Sequence, residues 1–420
     1  MRGLRSVLRH VSDARRLLAQ AAALSCAAML PAVTAAAPTA PRGGVDAHLF
    51  VSTRGSDHAS CSHSAPCRTI SHAVRVAQPG DEVDVEAGRY AEKVVITKRL
   101  TIRGLHAPTI DAKGRANAIL IKGDAPAGST VTGLVLEHAT YEGVLALETR
   151  DVTIEQNFVH DNDRGFFAPR FKGECAQNGH PGAHVADLRA GGCGEAIHLA
   201  STSRSRVVGN TVTGNTGGIY LTDESGPAAH NYIAGNQVVA NLYDCGITLA
   251  SHSRYAVSAT GPVRPRPHSG GVYDNLILRN VADWNGVREA GAGVLVAAAF
   301  RGGAAYGNRI IGNRVSRNGL PGITIHSHHG RQDVDGNIIR GNVVGHNAVG
   351  GTTGGPGDGD VGLHRTAGIL VSSEVRRVTG TRIVGNRISD DYYGIWTKNV
   401  KPLKTSGNGY NHVQVPVKRG

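Results

Sequence analysis

A four-residue phrase recurs through the second half of this chain. It reads Ala196-Ile197-His198-Leu199, Gly218-Ile219-Tyr220-Leu221, Gly246-Ile247-Thr248-Leu249, Gly293-Val294-Leu295-Val296, Gly322-Ile323-Thr324-Ile325 and Gly368-Ile369-Leu370-Val371. A second phrase follows each copy and ends on Asn, at 210, 236, 280, 313, 342 and 386, with an earlier relative at Asn157. Self-similarity at this period means stacked supersecondary units, each unable to bury its own apolar face. The apolar positions alternate over three or four residues, which is the strand period. Parallel stacking sets equivalent residues roughly 4.8 Å apart. Recurrent Asn then has two uses: left-handed backbone at a turn and an amide ladder between coils.

On these phrases the chain resembles the right-handed parallel β-helix superfamily, whose members include pectate lyases, alginate-modifying enzymes and periplasmic NosD-type proteins. The resemblance covers about residues 48–400. It implies an all-β solenoid of right hand with three strands per coil: Gly-Ile-x-Leu is the first, and the second and third flank the Asn. Ile70, Ala73, Val74 and Ala77 follow a helical period, so a short helix is expected over Ser71–Gln78, ended by Pro79-Gly80 and capping the open end of the solenoid. Strands are expected at Glu82–Glu86, Lys93–Ile96, Leu100–Ile102, Ala118–Ile121, Thr130–Leu136 and Gly143–Leu147, all read as scaffold. After Trp396 the pattern fades, and residues 401–420 read as a C-terminal cap or tail.

Residues 1–37 do not fit the repeat. Arg2, Arg5, Arg9, Arg15 and Arg16 precede an Ala/Leu-rich run, with small residues at Thr34-Ala35-Ala36-Ala37. This reads as a secretory signal peptide followed by a linker over 38–47. No other stretch is apolar and long enough to span a bilayer. A secreted or extracytoplasmic monomer follows, with no stable membrane insertion after cleavage. Of the formal +12 charge, residues 1–40 hold five Arg and one Asp, so +8 stays with the rest. That balance favours an acidic polymer as partner. No helix-turn-helix, zinc-finger or RNA-binding signature accompanies it, so nucleic acid is not expected. In an oxidising compartment the short spacings predict disulfides Cys61–Cys67 and Cys175–Cys193, with Cys245 a buried thiol. Cys193–Cys245 is the competing pairing.

The outward positions of the first strands, and the turns after them, carry residues a scaffold does not need. Glu195 and His198 lie on one coil, Tyr220, Asp223 and Glu224 on the next, and Asp244 and His252 flank the third. Glu289 precedes the fourth, His326, His328 and His329 come from the fifth, and Glu374 takes the place equivalent to Glu224, His252 and His328. Insertions at 163–193, 255–271, 284–291 and 348–366 interrupt the coils, and loops on one solenoid face commonly build a binding face. Imidazoles and carboxylates on adjoining coils suit general acid–base chemistry or a metal site. His198, Tyr220, His252 and His326 are the expected acid/base groups. Asp223, Glu224 and Asp244 are the expected ligands for a divalent cation, calcium or a transition metal. Glu195, Glu289, His328 and Glu374 are the expected substrate contacts. The local motifs of polygalacturonases, alginate epimerases and pectate lyases are absent, so no family residue is carried over. The function expected is a carbohydrate-active protein, a lyase or hydrolase of an acidic polysaccharide; the alternative is a non-catalytic, NosD-like β-helix that binds a glycan or a metal.

Overall fold

The computed structural model describes residues 47–163, 195–253, 270–288, 291–298, 301–349 and 366–420. The leader and most of the linker, Cys175, Cys193, Glu289 and most of the insertions lie outside them. His48–Gly420 forms one unit.

Its strands are too short to bury much alone. A second-strand segment such as Tyr232–Ala234 or Arg309–Ile311 has three residues and turns one side chain inward. Stacking makes a core of these single contributions. Val207, Ile233, Ile277, Ile310, Ile339 and Ile383 form one file, in register from coil to coil and fully buried. The first strands add two files, Ile197, Ile219, Ile247 and onward, and Leu199, Leu221, Leu249 and onward. Every long pairing is parallel, and the described strands form three long sheets of 12, 11 and 11 strands, with a two-stranded pairing of Ala228–Ala229 and Val272–Tyr273 beside them. The fold is the expected parallel β-helix with three strands per coil. No helix among the described residues is long and apolar enough to cross a membrane.

The corners obey a rule only half seen in the sequence. The Asn ladder is present: Asn210 Nδ2 donates to Asn236 Oδ1 at 3.0 Å, Asn236 to Asn280 at 2.9 Å and Asn280 to Asn313 at 3.0 Å. It runs on through Asn342 and Asn386 to Asn408. The left-handed residue, however, is the one before each Asn: Gly209, Gly235, Arg279, Gly312, Gly341 and Gly385 all have φ between 53° and 66°. Gly is frequent there because it adopts positive φ without steric penalty. The Asn side chain is thereby free to turn inward. Two more ladders follow the same rule. One links Asn162, Asn215, Asn241, Asn285, Asn318 and Asn347 and ends on Asp391. The other links Asn231, Asn275, Asn308 and Asn337.

The helix spans Ile70–Val76, with Thr69 as its N-cap and Ile70, Ala73 and Val74 buried. Glu92 accepts from the Ile70 and Ser71 amides at 2.9 and 2.8 Å, satisfying donors the helix start leaves free. Three strand expectations are corrected. Arg89–Tyr90 and Thr109–Asp111 are further strands, and Thr130–Leu136 divides into Thr130–Thr132 and Val135–Glu137. The sequence after Trp396 is not a tail: Lys404–Ser406, Gly409–Asn411 and Val415–Arg419 extend all three sheets by one more coil. Its pattern is weak because its side chains stay largely exposed. Cys61–Cys67 is a disulfide, and Cys245 is buried, its Sγ accepting from the Ala292 amide at 3.2 Å.

Candidate functional site

The first-strand sheet positions the candidate groups by simple alternation. Where Ile197 and Leu199 point inward, His198 points outward, in register with Tyr220 and then Thr248. The next outward file is Ala200, Thr222 and Ala250. Small residues on either side of Thr222 leave room for the larger groups around it. Just past the strands, Glu224 and His252 fall on adjoining coils.

These residues form one hydrogen-bonded chain. Tyr220 OH lies 3.0 Å from His252 Nε2, and His252 Nδ1 lies 3.0 Å from Glu224 Oε1. The Thr222 hydroxyl donates to Glu224 Oε2 and lies 2.8 Å from His198 Nε2. His198 Nδ1 lies 3.3 Å from Glu142 Oε1, and the Asn117 amide donates to Glu142 Oε2 at 2.6 Å. The rings of His198 and Tyr220 stack with centroids 4.8 Å apart. His198 and Tyr220 are buried, whereas the His252 side chain is 14% exposed and is the opening of the chain toward solvent.

Proton positions follow from the partners. Burial works to raise the Glu224 pKa, but the His252 hydrogen bond, the charges of His252 and His198, and Thr222 outweigh it and pull it to about 2. As a carboxylate it only accepts, so His252 Nδ1 carries a hydrogen and, in the neutral ring, Nε2 offers a lone pair to the Tyr220 hydroxyl. Thr222 has one proton and gives it to Glu224, so His198 Nε2 must donate. His198 Nδ1 then shares a proton with Glu142. The arrangement fixes the tautomer of His252 from one side and of His198 from the other.

The other expected residues separate from this chain. Asp223 has the inward parity of Leu221 and is fully buried. Its carboxylate accepts from the amides of His252 at 2.6 Å, Ser253 at 2.9 Å and Gly271, and from Ser251 Oγ at 2.7 Å. Burial pushes it up to about 6 against those donors, with Glu224 adding to the rise. It fastens the backbone that carries His252, so its expected place as an outward cation ligand is corrected. Asp244 lies at the opposite end of the sheet, where Oδ1 accepts from the Cys245 amide at 2.6 Å. Glu195 is there too, in register with Gly217, and a Cβ at Gly217 would come within 3.3 Å of both Glu195 and Asp244. The missing side chain lets Glu195 and Asp244 pack against the Gly217 backbone. Burial, then Asp244, Asp163 and Glu142, drive the Glu195 pKa well up; burial and Glu142 do the same to Asp163. Glu195 Oε2 and Asp163 Oδ1 have no hydrogen-bond partner among the described residues.

His326 is in register with Ala297 and Ser372, so a whole coil separates it from Ala250 beside the main chain of bonds. It packs on His328 with ring centroids 4.6 Å apart, and His328 Nδ1 lies 3.6 Å from Glu374 Oε1. The single patch expected from stacking is therefore three: the Tyr220–His252–Glu224–Thr222–His198–Glu142 chain, the acidic cluster of Glu195, Asp244 and Asp163, and the His326–His328–Glu374 group.

The expected cation set of Asp223, Glu224 and Asp244 is not assembled: the oxygens of Asp223 and Glu224 are taken by protein donors, and Asp244 is at the far end. Groups of three ligand atoms within 4.8 Å of one another do occur among the described residues, at His48/Glu82/Asp84 and Asp111/Glu137/His138. Both already hold a guanidinium, Arg103 on Glu82 and Asp84, Arg89 on Asp111 and Glu137, which opposes a second cation. These clusters and Glu142 lie in the coils expected to be plain scaffold. Glu142 had a signal: it stands two residues before inward Val144 as Glu195 stands two before Ile197. Thr222 had none beyond its place in the phrase.

Residues 90–260 match the family described as a right handed beta helix region. No curated protein matches the sequence. Among solved structures, the Dettilon tailspike protein is 16% identical with a TM-score of 0.50, over 89% of this chain and 68% of that one. The A-module of Azotobacter vinelandii mannuronan C-5 epimerase AlgE4 is 15% identical with a TM-score of 0.46, over 87% and 94%. Pectate lyase Pel9A is 13% identical with a TM-score of 0.46, over 82% and 80%. At such identities the likeness is one of fold.

Proposed function

We propose that this protein, a member of the right-handed parallel β-helix superfamily, is a secreted enzyme that cleaves an acidic polysaccharide by proton transfer at Tyr220 and His252. The observation that carries the reading is the Tyr220–His252–Glu224 relay, 3.0 Å at each step and drawn from two adjoining coils. A lyase breaks the C–H bond beside a uronate carboxylate, forms a C=C bond and expels the glycosidic oxygen, which takes up a proton. One group must accept a proton and another supply one. His252, whose Nε2 faces the Tyr220 hydroxyl, is the base acting through the Tyr220 oxygen, and the phenol returns the proton to the leaving oxygen. Hydrolysis needs a protonated carboxyl opposite a carboxylate. Glu224, held near 2, stays ionised, and Asp223 points into the core. Elimination is thus the better match.

The test is incubation with polygalacturonate, alginate and hyaluronan, following ultraviolet absorbance of unsaturated ends and, separately, reducing ends. Unsaturated products that vanish in His252→Ala support the reading. Reducing ends without unsaturation assign hydrolysis. Saturable binding with no product assigns the non-catalytic alternative.

A further inference from the structure

Outside the first sheet, the charge on the coil surface changes character along the stack. In the early coils several outward Arg are set against carboxylates. Arg103 meets Glu82 and Asp84, Arg89 meets Asp111 and Glu137, and Arg204 meets Asp151. Arg206 lies over the Tyr232 ring, 4.6 Å from its centroid. From Leu276 onward most cations on the second and third sheets have no such partner among the described residues. The second- and third-sheet strands from Leu276–Leu278 to Gly409–Asn411 carry six cations and one carboxylate, Asp283. Asp283 is taken by Arg314 and Arg317. Arg309, Arg340, Arg382, Arg387 and Lys404 are exposed and make no ion pair among the described residues, and neither does Arg279 at the corner between the two sheets. Asp274 and Asp390, the neighbouring surface carboxylates, stand at the two outer corners, and Asp390 faces His346 and His412.

Arg382 and Lys404 are directly paired in register. Like charges at such a place destabilise a sheet, and no carboxylate among the described residues pairs with either. A bound polyanion would. We propose that this Arg-rich face, around the corner from the first sheet, is a second docking surface that holds an anionic polysaccharide along the stack. The guanidinium fork pairs with carboxylates in two parallel bonds. The outward residues between the cations include Leu276, Leu278, Ile311, Ile338, Val343 and Val384, which offer aliphatic contact to sugar C–H faces. None is aromatic, so bases would find no ring to stack on. The strands are flat, with no element to enter a duplex groove. This surface does not depend on the catalytic reading, since its readout is retention rather than turnover.

The experiment measures binding of size-fractionated polygalacturonate to the full chain at low and high salt. Arg382→Glu/Arg387→Glu/Lys404→Glu is compared with the Gln triple variant and with His252→Ala. The wild type should bind, and weaken as salt screens the contacts. The Gln variant should lose about tenfold in affinity, and the Glu variant more. His252→Ala should bind as wild type does, and circular dichroism of all variants should be unchanged. If enzymatic turnover occurs, short oligosaccharides should be cleaved by the triple variants at the wild-type rate. Unchanged affinity in a folded Gln variant overturns the proposal. So does equal or tighter binding of duplex DNA, or of vesicles rich in phosphatidylglycerol, at the same salt.

Discussion

At residue 224 a carboxylate decides which nitrogen of a histidine carries the proton. A Gln there would keep the shape and present an amide N–H to His252 Nδ1, forcing the hydrogen onto Nε2 and removing the lone pair that faces Tyr220. Glu224→Gln should therefore lower turnover by about 10²- to 10⁴-fold, as should His252→Ala, with the fold intact at neutral pH. Stability supplies a second readout. The pKa of Glu224 is depressed to about 2, so its contribution is present above the ordinary value near 4.5 and is lost as pH falls toward 2. Wild type should lose up to about 3 kcal/mol across that window through this group, and Glu224→Gln should not. Thermal melts of the two at pH 5 and pH 2.5 check it. The relay was readable in the sequence because His198, Tyr220, Glu224 and His252 occupy equivalent places in copies of one phrase. Asp223 was misplaced because strand parity continues past Thr222 into the turn, and the sequence does not mark where alternation stops. Glu142 is hard to see in the sequence because the outward places of its own strand, Leu145 and Leu147, are apolar, so nothing beside it points to a site.

The element that recurs is the corner, a left-handed residue followed by an inward amide. Five residues beyond the Asn210 series, the pattern repeats at Asn215, Asn241, Asn285, Asn318 and Asn347, and the sequence hides it because Ala, Trp, Arg and His fill four of the five left-handed places and Gly only one. Hydrogen bonds to the amide on the next coil stabilise the corner whichever residue precedes it. The exception is Asp391, which ends this ladder. Its Oδ1 accepts from the Asn347 amide at 2.9 Å, while Oδ2 is buried with no hydrogen-bond partner among the described residues. Burial pushes its pKa up to about 7 despite those bonds. For a raised carboxyl, stability is full below the ordinary value of 3.8 and is lost as pH rises through 7. Asp391→Asn keeps the acceptor, adds an N–H that can reach the Val344 carbonyl as the earlier rungs do, and cannot ionise. The variant should melt close to wild type at pH 4 and above it at pH 8, by up to about 4 kcal/mol. Equal melting at pH 8 would mean that water already serves Oδ2.

Taken along its whole length, the molecule is a one-dimensional stack, and each coil is held by the coil before and the coil after. The same side chain should thus be worth different amounts at different heights. Asn280 donates to the Ile233 carbonyl at 2.9 Å and to Asn313 at 3.0 Å, and accepts from the amide and the side chain of Asn236 at 3.0 and 2.9 Å. All four of its hydrogen-bonding places are used, and all are buried. Asn408 accepts the same two bonds from Asn386 and donates to Ile383, but no Asn continues the ladder beyond it and it is half-exposed. Water can replace what its loss leaves open. Asn280→Ala strands buried donors and acceptors on both neighbouring coils and should cost about 3 kcal/mol or more, whereas Asn408→Ala should cost about 1. Melting at one fixed scan rate, which keeps any irreversible step comparable, gives the ranking. Equal losses would mean that the end coil is held as firmly as the middle, through its strands alone. A larger loss at Asn408 would mean that unfolding begins at that end, and that the coil of Lys404, next to Arg382 in the basic face, sets the stability of the whole stack.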